Sequence, residues 1–385
     1  MKFTIILVFL LATLNGALVE GWQLPCCRCY GVPEDYCNAY CRGRKRCPDP
    51  TPDPPPAPVD TYDGYSLFVF GDSFADNGNL PNASTSDLDR RLVRCWYDPY
   101  GNSDGKPSGR FSNSMVQSDF VAKMLGLDMA PPPYKQHGLD SCDDTGMTFA
   151  TGGSGVFPVP VQYVRKLSEQ VDIFETLVKS KISPERLAKS VALVAISGND
   201  YDRVGVMLPK DFGGVSAFTR NVTSGIVSSV ERLLGLGVPK VLVNNLQPVG
   251  CAPSQTKANK YSECDGVGNT TADTHNKNLE GLLTGKNDTV LIVDLHTAFK
   301  TIFHEGTEQS RRFKHRYTPC CEATDEGDFC GDTGDSGAGT QALYTLGKGG
   351  PDHFFYWDDM HPTQAGWDAV MEQVEGSIKQ FVGVA

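Results

Sequence analysis

The 385-residue chain has no excess of basic charge: 35 Lys+Arg stand against 46 Asp+Glu, a formal net charge of -11. That excludes nucleic acid as the main partner, because phosphate binding needs a basic surface. Beyond its first residues the chain has no apolar run of membrane-spanning length, so the rest is expected to be soluble. No fixed-period repeat is visible, which argues against a solenoid or propeller. Hydrophobic residues are not scarce: at 40% they argue against wholesale disorder. Cysteine is present in an intermediate amount. Thirteen are too many for a typical cytosolic enzyme and too few for a disulfide scaffold throughout. An odd number cannot all pair within one molecule.

The N-terminus sets the expected compartment. Lys2 precedes an apolar run from Phe3 to Leu14, followed by Asn15, Gly16 and Ala17. This pattern predicts a secretory signal peptide over residues 1–21, too short to span a bilayer comfortably. Asn-x-Ser/Thr sequons at Asn82, Asn221, Asn269 and Asn287 fit a secreted, cell-wall or extracellular glycoprotein. Disulfides are then the default state of the cysteines.

Composition shifts twice along the chain. Residues 22–47 hold Cys26, Cys27, Cys29, Cys37, Cys41 and Cys47 with few large aliphatics, so a core there needs staples. Three disulfides are the expected solution, with zinc as the rival. The run Arg42-Gly43-Arg44-Lys45-Arg46 reads as a solvated basic loop, an adhesion patch for an acidic wall polymer, or a processing site. Residues 48–60 are a Pro-rich linker expected to be extended polyproline II. From residue 61 to 385 strand and helix signals alternate. Ser66–Phe70, Val191–Ile196, Lys240–Asn244 and Thr289–Val293 are continuous apolar strand runs. Such runs suit a parallel sheet covered on both faces. Helical faces lie between them, through Val164–Val178, Val222–Leu233 and Val370–Phe381, the last helix being expected to start at Pro362. The predicted fold class is α/β, with ligands at the carboxyl ends of the strands.

Three strand ends and the last helix entry carry the chemistry-bearing residues. The first strand runs into Gly71-Asp72-Ser73, which places Ser73 at the top of the sheet. Near the other end, Asp358-Asp359-Met360-His361-Pro362 puts a histidine in the loop before a helix, because Pro362 biases His361 away from helical geometry. A serine nucleophile needs a base, and the base needs an orienting acceptor; Asp358 is close enough across a turn to be one. Phe149–Gly155 and Ser197-Gly198-Asn199-Asp200 offer backbone N–H groups and an amide for a developing oxyanion. A second Gly-Asp-Ser, Gly334-Asp335-Ser336, follows no strand and is read as a decoy. His304 and His353 are the other histidines kept as candidates near a site.

With these residues in place the chain resembles the plant GDSL esterase/lipase family, a branch of the SGNH hydrolases. The likeness covers roughly residues 66–382. It rests on Phe68–Ser73 with Asp76-Asn77-Gly78-Asn79, on Phe149–Gly155, on Gly198-Asn199-Asp200 and on Asp358–Pro362. Gln247–Pro253, Lys106–Asn113 and Cys320-Cys321…Cys330-Gly331 are similar to further recurrent segments. The resemblance implies a three-layer α/β/α fold with a flavodoxin-like parallel sheet, beside the small N-terminal disulfide-rich module. It implies Ser73 as nucleophile, His361 as base and Asp358 as orienter. It implies the Ser73 N–H, the Gly152 N–H and the Asn199 amide as the oxyanion hole, with no cofactor or metal. Phe74, Ser197 and Thr148 depart from the family's usual Leu, Gly and Asn.

The expected activity is hydrolysis of small-molecule, lipid or polysaccharide esters through an acyl-enzyme. One rival is acyl transfer from the same Ser-His-Asp site. The other is a non-catalytic wall-binding or defence protein acting through the cysteine module, with Arg42, Arg44, Lys45 and Arg46 as the contact for an acidic polymer. The seven cysteines of the main body, Cys95, Cys142, Cys251, Cys264, Cys320, Cys321 and Cys330, allow at most three bridges among themselves.

Overall fold

The computed structural model describes residues 64–82, 87–101, 106–202, 215–335 and 340–384. The expected signal peptide, cysteine module, basic run, linker and Ser336 lie outside the described residues. All described residues belong to one compact unit, Asp60–Ala385.

Five parallel strands form its central sheet: β1 (Ser66–Gly71), β2 (Gly146–Thr148), β3 (Ser190–Ala195), β4 (Lys240–Asn244) and β5 (Val290–Val293). Their order is β2-β1-β3-β4-β5, the flavodoxin-like arrangement. β1 and β3 pair in parallel from Ser66↔Ser190 to Gly71↔Ala195, so both end at the same edge of the sheet. Four strands are legible as apolar runs. β2 is only three residues long and carries no such run.

Side chains alternate between two cores because the strand period is two. Leu67 and Val69 face one way, where helices α1 (Gln117–Met124), α5 (Leu295–Phe303) and α6 (Gln364–Val382) bury Val121, Phe299 and Trp367. Phe68 and Phe70 face the other way. There α2 (Leu167–Ser180), α3 (Val215–Gly235) and α4 (Gly266–Leu283) bury Phe174, Val222 and Leu279. Phe174 sits at the centre of this layer, with ring centroids 4.7 Å from Phe68, 5.4 Å from Phe70 and 5.9 Å from Phe149. The last helix begins two residues later than expected, at Gln364, because the Thr363 hydroxyl caps it by accepting from the Gly366 N–H at 2.9 Å.

A third apolar cluster, including Leu80, Val93, Tyr100, Phe111 and Trp357, lies in the connections rather than under the sheet. Two disulfides, Cys251–Cys264 and Cys321–Cys330, staple these connections. Cys95, Cys142 and Cys320 are thiols among the described residues. Of the sequons, Asn82, Asn221 and Asn287 are exposed. Asn269 is half-buried and its Oδ1 accepts from the Gly250 N–H at 3.1 Å.

The aromatic contacts of Phe174 make it a test of the second core layer. Phe174→Ala should lower unfolding free energy by about 3–5 kcal/mol with little change in denaturant m-value. Urea melts of the two proteins check this; a loss under about 1 kcal/mol would mean that the layer collapses onto the void.

Candidate active site

The site is built where β1 and β3 end. Gly71 has φ +138°, and a Cβ there would lie 2.1 Å from the Ala195 carbonyl oxygen, so only glycine lets the two strand ends approach. Gln170 of α2 fixes that approach by accepting from the Gly71 N–H at 2.8 Å and donating to its carbonyl at 2.9 Å. The chain then turns: the Asp72 carbonyl accepts from the N–H groups of Ala75 and Asp76, and Asp72 Oδ1 accepts from Phe74 N–H. Ser73 stands at the start of this turn.

His361 reaches the same place from the other end of the chain. Its carbonyl accepts from Trp357 N–H at 2.7 Å, which closes the loop before α6. The ring lies 4.8 Å from the Phe111 ring and 6.1 Å from that of Phe74. His361 Nε2 is 2.8 Å from Ser73 Oγ. Nδ1 is 2.8 and 2.9 Å from the two carboxylate oxygens of Asp358. Asp358 is ionised, so Nδ1 carries the proton and Nε2 is the acceptor for the serine hydroxyl. The three side chains are nearly enclosed, with residue exposures of 4% for Ser73, 2% for His361 and 1% for Asp358.

Three buried carboxylates surround this relay in different environments. Burial alone would raise Asp358, but His361, the Arg94 guanidinium and the Tyr100 hydroxyl outweigh it and hold the group well below the ordinary carboxylate range. Asp72 and Asp76 have no such cation in contact. Burial pushes each up to about 6, only partly offset by hydrogen bonds from backbone N–H groups. Asp72 Oδ2 accepts from Ser197 N–H at 2.6 Å and from the Ser197 hydroxyl at 2.8 Å. Asp76 Oδ1 accepts from the N–H groups of Gly78 and Asn79, both at 2.8 Å.

The expected oxyanion donors divide. The Gly152 N–H donates to Asp76 Oδ2 at 2.7 Å, so in this structure a fully buried carboxylate takes the donor that the resemblance implied for the oxyanion. The Asn199 amide lies at the end of β3, as expected, and donates to Ser154 O at 2.8 Å and, at a longer 3.1 Å, to Asp72 Oδ2. Among the described residues nothing accepts from the Ser73 N–H. His304 is exposed and His353 follows an exposed turn, neither being brought to Ser73.

A cavity of about 390 Å³ adjoins the relay, with Phe74, Asn199, Gln247, Val249, Tyr356 and Met360 in its wall. Ser73 itself does not line it. Asp358, Asp359 and His361 are the one group of candidate metal donors among the described residues. The Arg94 guanidinium lies 3.3 Å from Asp358 and 3.1 Å from Asp359, so the local charge already has its cation.

The family model described as GDSL-like Lipase/Acylhydrolase matches residues 67–374. The chain belongs to this family. A GDSL esterase/lipase of Arabidopsis thaliana is 34% identical over 328 residues, covering 81% of this chain and 86% of the relative. A second from the same plant is 37% identical over 318 residues, covering 79% and 84%. As a GDSL-family member the chain is a hydrolase of carboxylic esters. A solved acetylxylan esterase of Geobacillus stearothermophilus, in a catalytic-mutant form, matches at 12% identity with a TM-score of 0.36 over 84% of this chain and 95% of its own. That distance leaves the fold to rest on the strand order above. No described helix is long and apolar enough to cross a membrane.

Sequence reasoning missed Arg94, Tyr100 and Gln170 at this GDSL site. Each is a polar residue buried among apolar neighbours, and no spacing marks it. The partners of Asp76 were also invisible, although Asp76 itself stands in a quoted motif.

Asp76 yields a pH prediction. Its folded value is about 6 against an ordinary 3.8, so between these the folded chain holds a proton that the unfolded chain releases. Its contribution to stability is therefore full below pH 3.8 and lost as pH rises towards 6. His275 acts oppositely: burial lowers it from 6.5 to about 4, so acidification through that window costs stability. The difference between Asp76→Asn and parent melting temperatures isolates the carboxylate. The variant should gain relative to the parent as pH rises from 4 to 7; a pH-independent difference would rule out the raised value.

Proposed function

We propose that the protein is a secreted serine esterase working through an acyl-enzyme at Ser73. The observation that carries this reading is the relay from Ser73 Oγ through His361 to Asp358, closed at 2.8 Å on each side of the imidazole. His361 Nε2 takes the Ser73 proton as Oγ bonds to the ester carbonyl carbon, and the carbonyl π pair moves onto oxygen. The Ser73 N–H, which no described residue takes, together with the Gly152 N–H and the Asn199 amide, turned from their bonds to Asp76 and Asp72, hold that oxyanion. The pair then re-forms the carbonyl, the alcohol leaves with the proton from His361, and water repeats the cycle on the acyl-serine. Asp358 keeps Nδ1 protonated and steadies the imidazolium. The signal-like N-terminus and the exposed Asn82, Asn221 and Asn287 support export. The preceding cysteine-rich module and Pro-rich linker are read as a separate appendage, whose basic run suits an acidic wall polymer.

Ser73→Ala should lower hydrolysis of short p-nitrophenyl esters by at least about 10³-fold. A fluorophosphonate probe should label Ser73 and leave Ser336 unmodified. Parent-level turnover in Ser73→Ala, or label on Ser336, would overturn the assignment. Products formed with added acceptor alcohols distinguish water from an alcohol as the second nucleophile.

A further inference from the structure

The buried cation beside the relay has no part in the steps above. Arg94 belongs to the short helical turn Arg94–Trp96 and is only 7% exposed within the apolar cluster of Leu80, Val93, Phe111 and Trp357. Burying a guanidinium there is costly unless its partners are in place. Those partners lead to Asp358. Arg94 Nε donates to the Tyr100 hydroxyl at 2.8 Å, and that hydroxyl donates to Asp358 Oδ2 at 2.6 Å. Arg94 Nη2 also reaches Asp358 Oδ2 directly at 3.3 Å.

The two carboxylate oxygens are tied from opposite sources. Oδ1 accepts from the N–H groups of Met360, at 3.0 Å, and His361, at 2.8 Å, both from the same loop. Oδ2 is held from the distant Arg94 and Tyr100. Without them half of the carboxylate would have only the imidazole as partner. Phe111 links the two groups further: its ring lies 5.5 Å from the Arg94 guanidinium and 4.8 Å from the His361 ring.

We propose that Arg94 and Tyr100 are positioning residues for the esterase site, fixing the Asp358 carboxylate against His361 Nδ1 and setting the electric field in which the imidazole takes its proton. This rests on the Ser73–His361–Asp358 reading. Burial raises the Tyr100 hydroxyl far above its usual range, with Asp358 adding to the rise against Arg94, so it remains a donor. Arg94 stays charged, burial being outweighed by Tyr100, Asp359 and Asp358. A cation behind a carboxylate weakens the pull of that carboxylate on the imidazolium in front of it. Arg94 therefore tempers how strongly Asp358 draws positive charge onto the imidazole in front of it. The other charges facing this group are Asp72, which feels His361 from the β1 turn, and Asp359, which pairs with Arg94 and, at 3.5 Å, with Arg91. Neither replaces the Arg94 charge on Asp358.

The test is the pH profile of kcat/KM for p-nitrophenyl acetate with full-length protein. Arg94→Met removes the charge at similar volume and should move the acidic limb up by about one pH unit. Tyr100→Phe should move it the same way and lower kcat by roughly 10–100-fold with KM unchanged. An acidic limb that stays at the parent's pH in folded Arg94→Met or Tyr100→Phe overturns the proposal, whatever the rate. If Arg94→Met does not fold, Tyr100→Phe decides alone. Ser73→Ala run alongside separates the two levels: full activity there sinks the underlying site reading, whereas an inactive Ser73→Ala with unshifted limbs sinks only the role of Arg94 and Tyr100.

Discussion

Burial of the sheet on both faces is the constraint on which the rest depends. β1, β3 and β4 have apolar side chains on each side, so no polar chemistry can be mounted along them. Buried polar side chains are admitted at the ends of these strands. β1 stops at Gly71, pressed against Ala195 of β3, and this contact brings the Asp72–Ser73 turn beside Ser197 and Asn199. The position of Ser73 is thus a consequence of strand register.

At that edge the protein holds three buried carboxylates and treats them differently. Asp358 is given a cation, a phenol and an imidazole; Asp72 and Asp76 are given chiefly backbone N–H groups and neutral side chains. The first stays charged at any working pH. The other two are poised much nearer neutrality and serve as acceptors that lock loops together. Asp76 joins the first turn to the glycine-rich loop, and Asp72 joins it to the end of β3. The same residue type faces an imidazole in one place and rivets backbone in two others, and the difference lies in the neighbours.

Much of this was legible in the sequence. Continuous apolar runs mark four of the five strands, and the residue following the first run is the glycine before Asp72-Ser73. His361 is marked by the proline after it and the aspartate three residues before it. The three-residue β2 was not legible, since its place comes from pairing with β1. Nor was the commitment of the Gly152 N–H, because a glycine-rich loop advertises available donors and says nothing of a buried carboxylate claiming one. Arg94 and Tyr100 lie 264 and 258 residues from Asp358, and only the folded chain joins them to it.

The contact between the serine and the histidine also spans most of the chain: Ser73 Oγ and His361 Nε2 are 288 positions apart. A ribosome adding about 5–20 residues per second delivers the histidine roughly fifteen seconds to a minute after the serine. Throughout that interval Ser73 is an ordinary hydroxyl with no base beside it. On the reading proposed above, the Ser73–His361–Asp358 relay can therefore close only after the last part of the chain has been made.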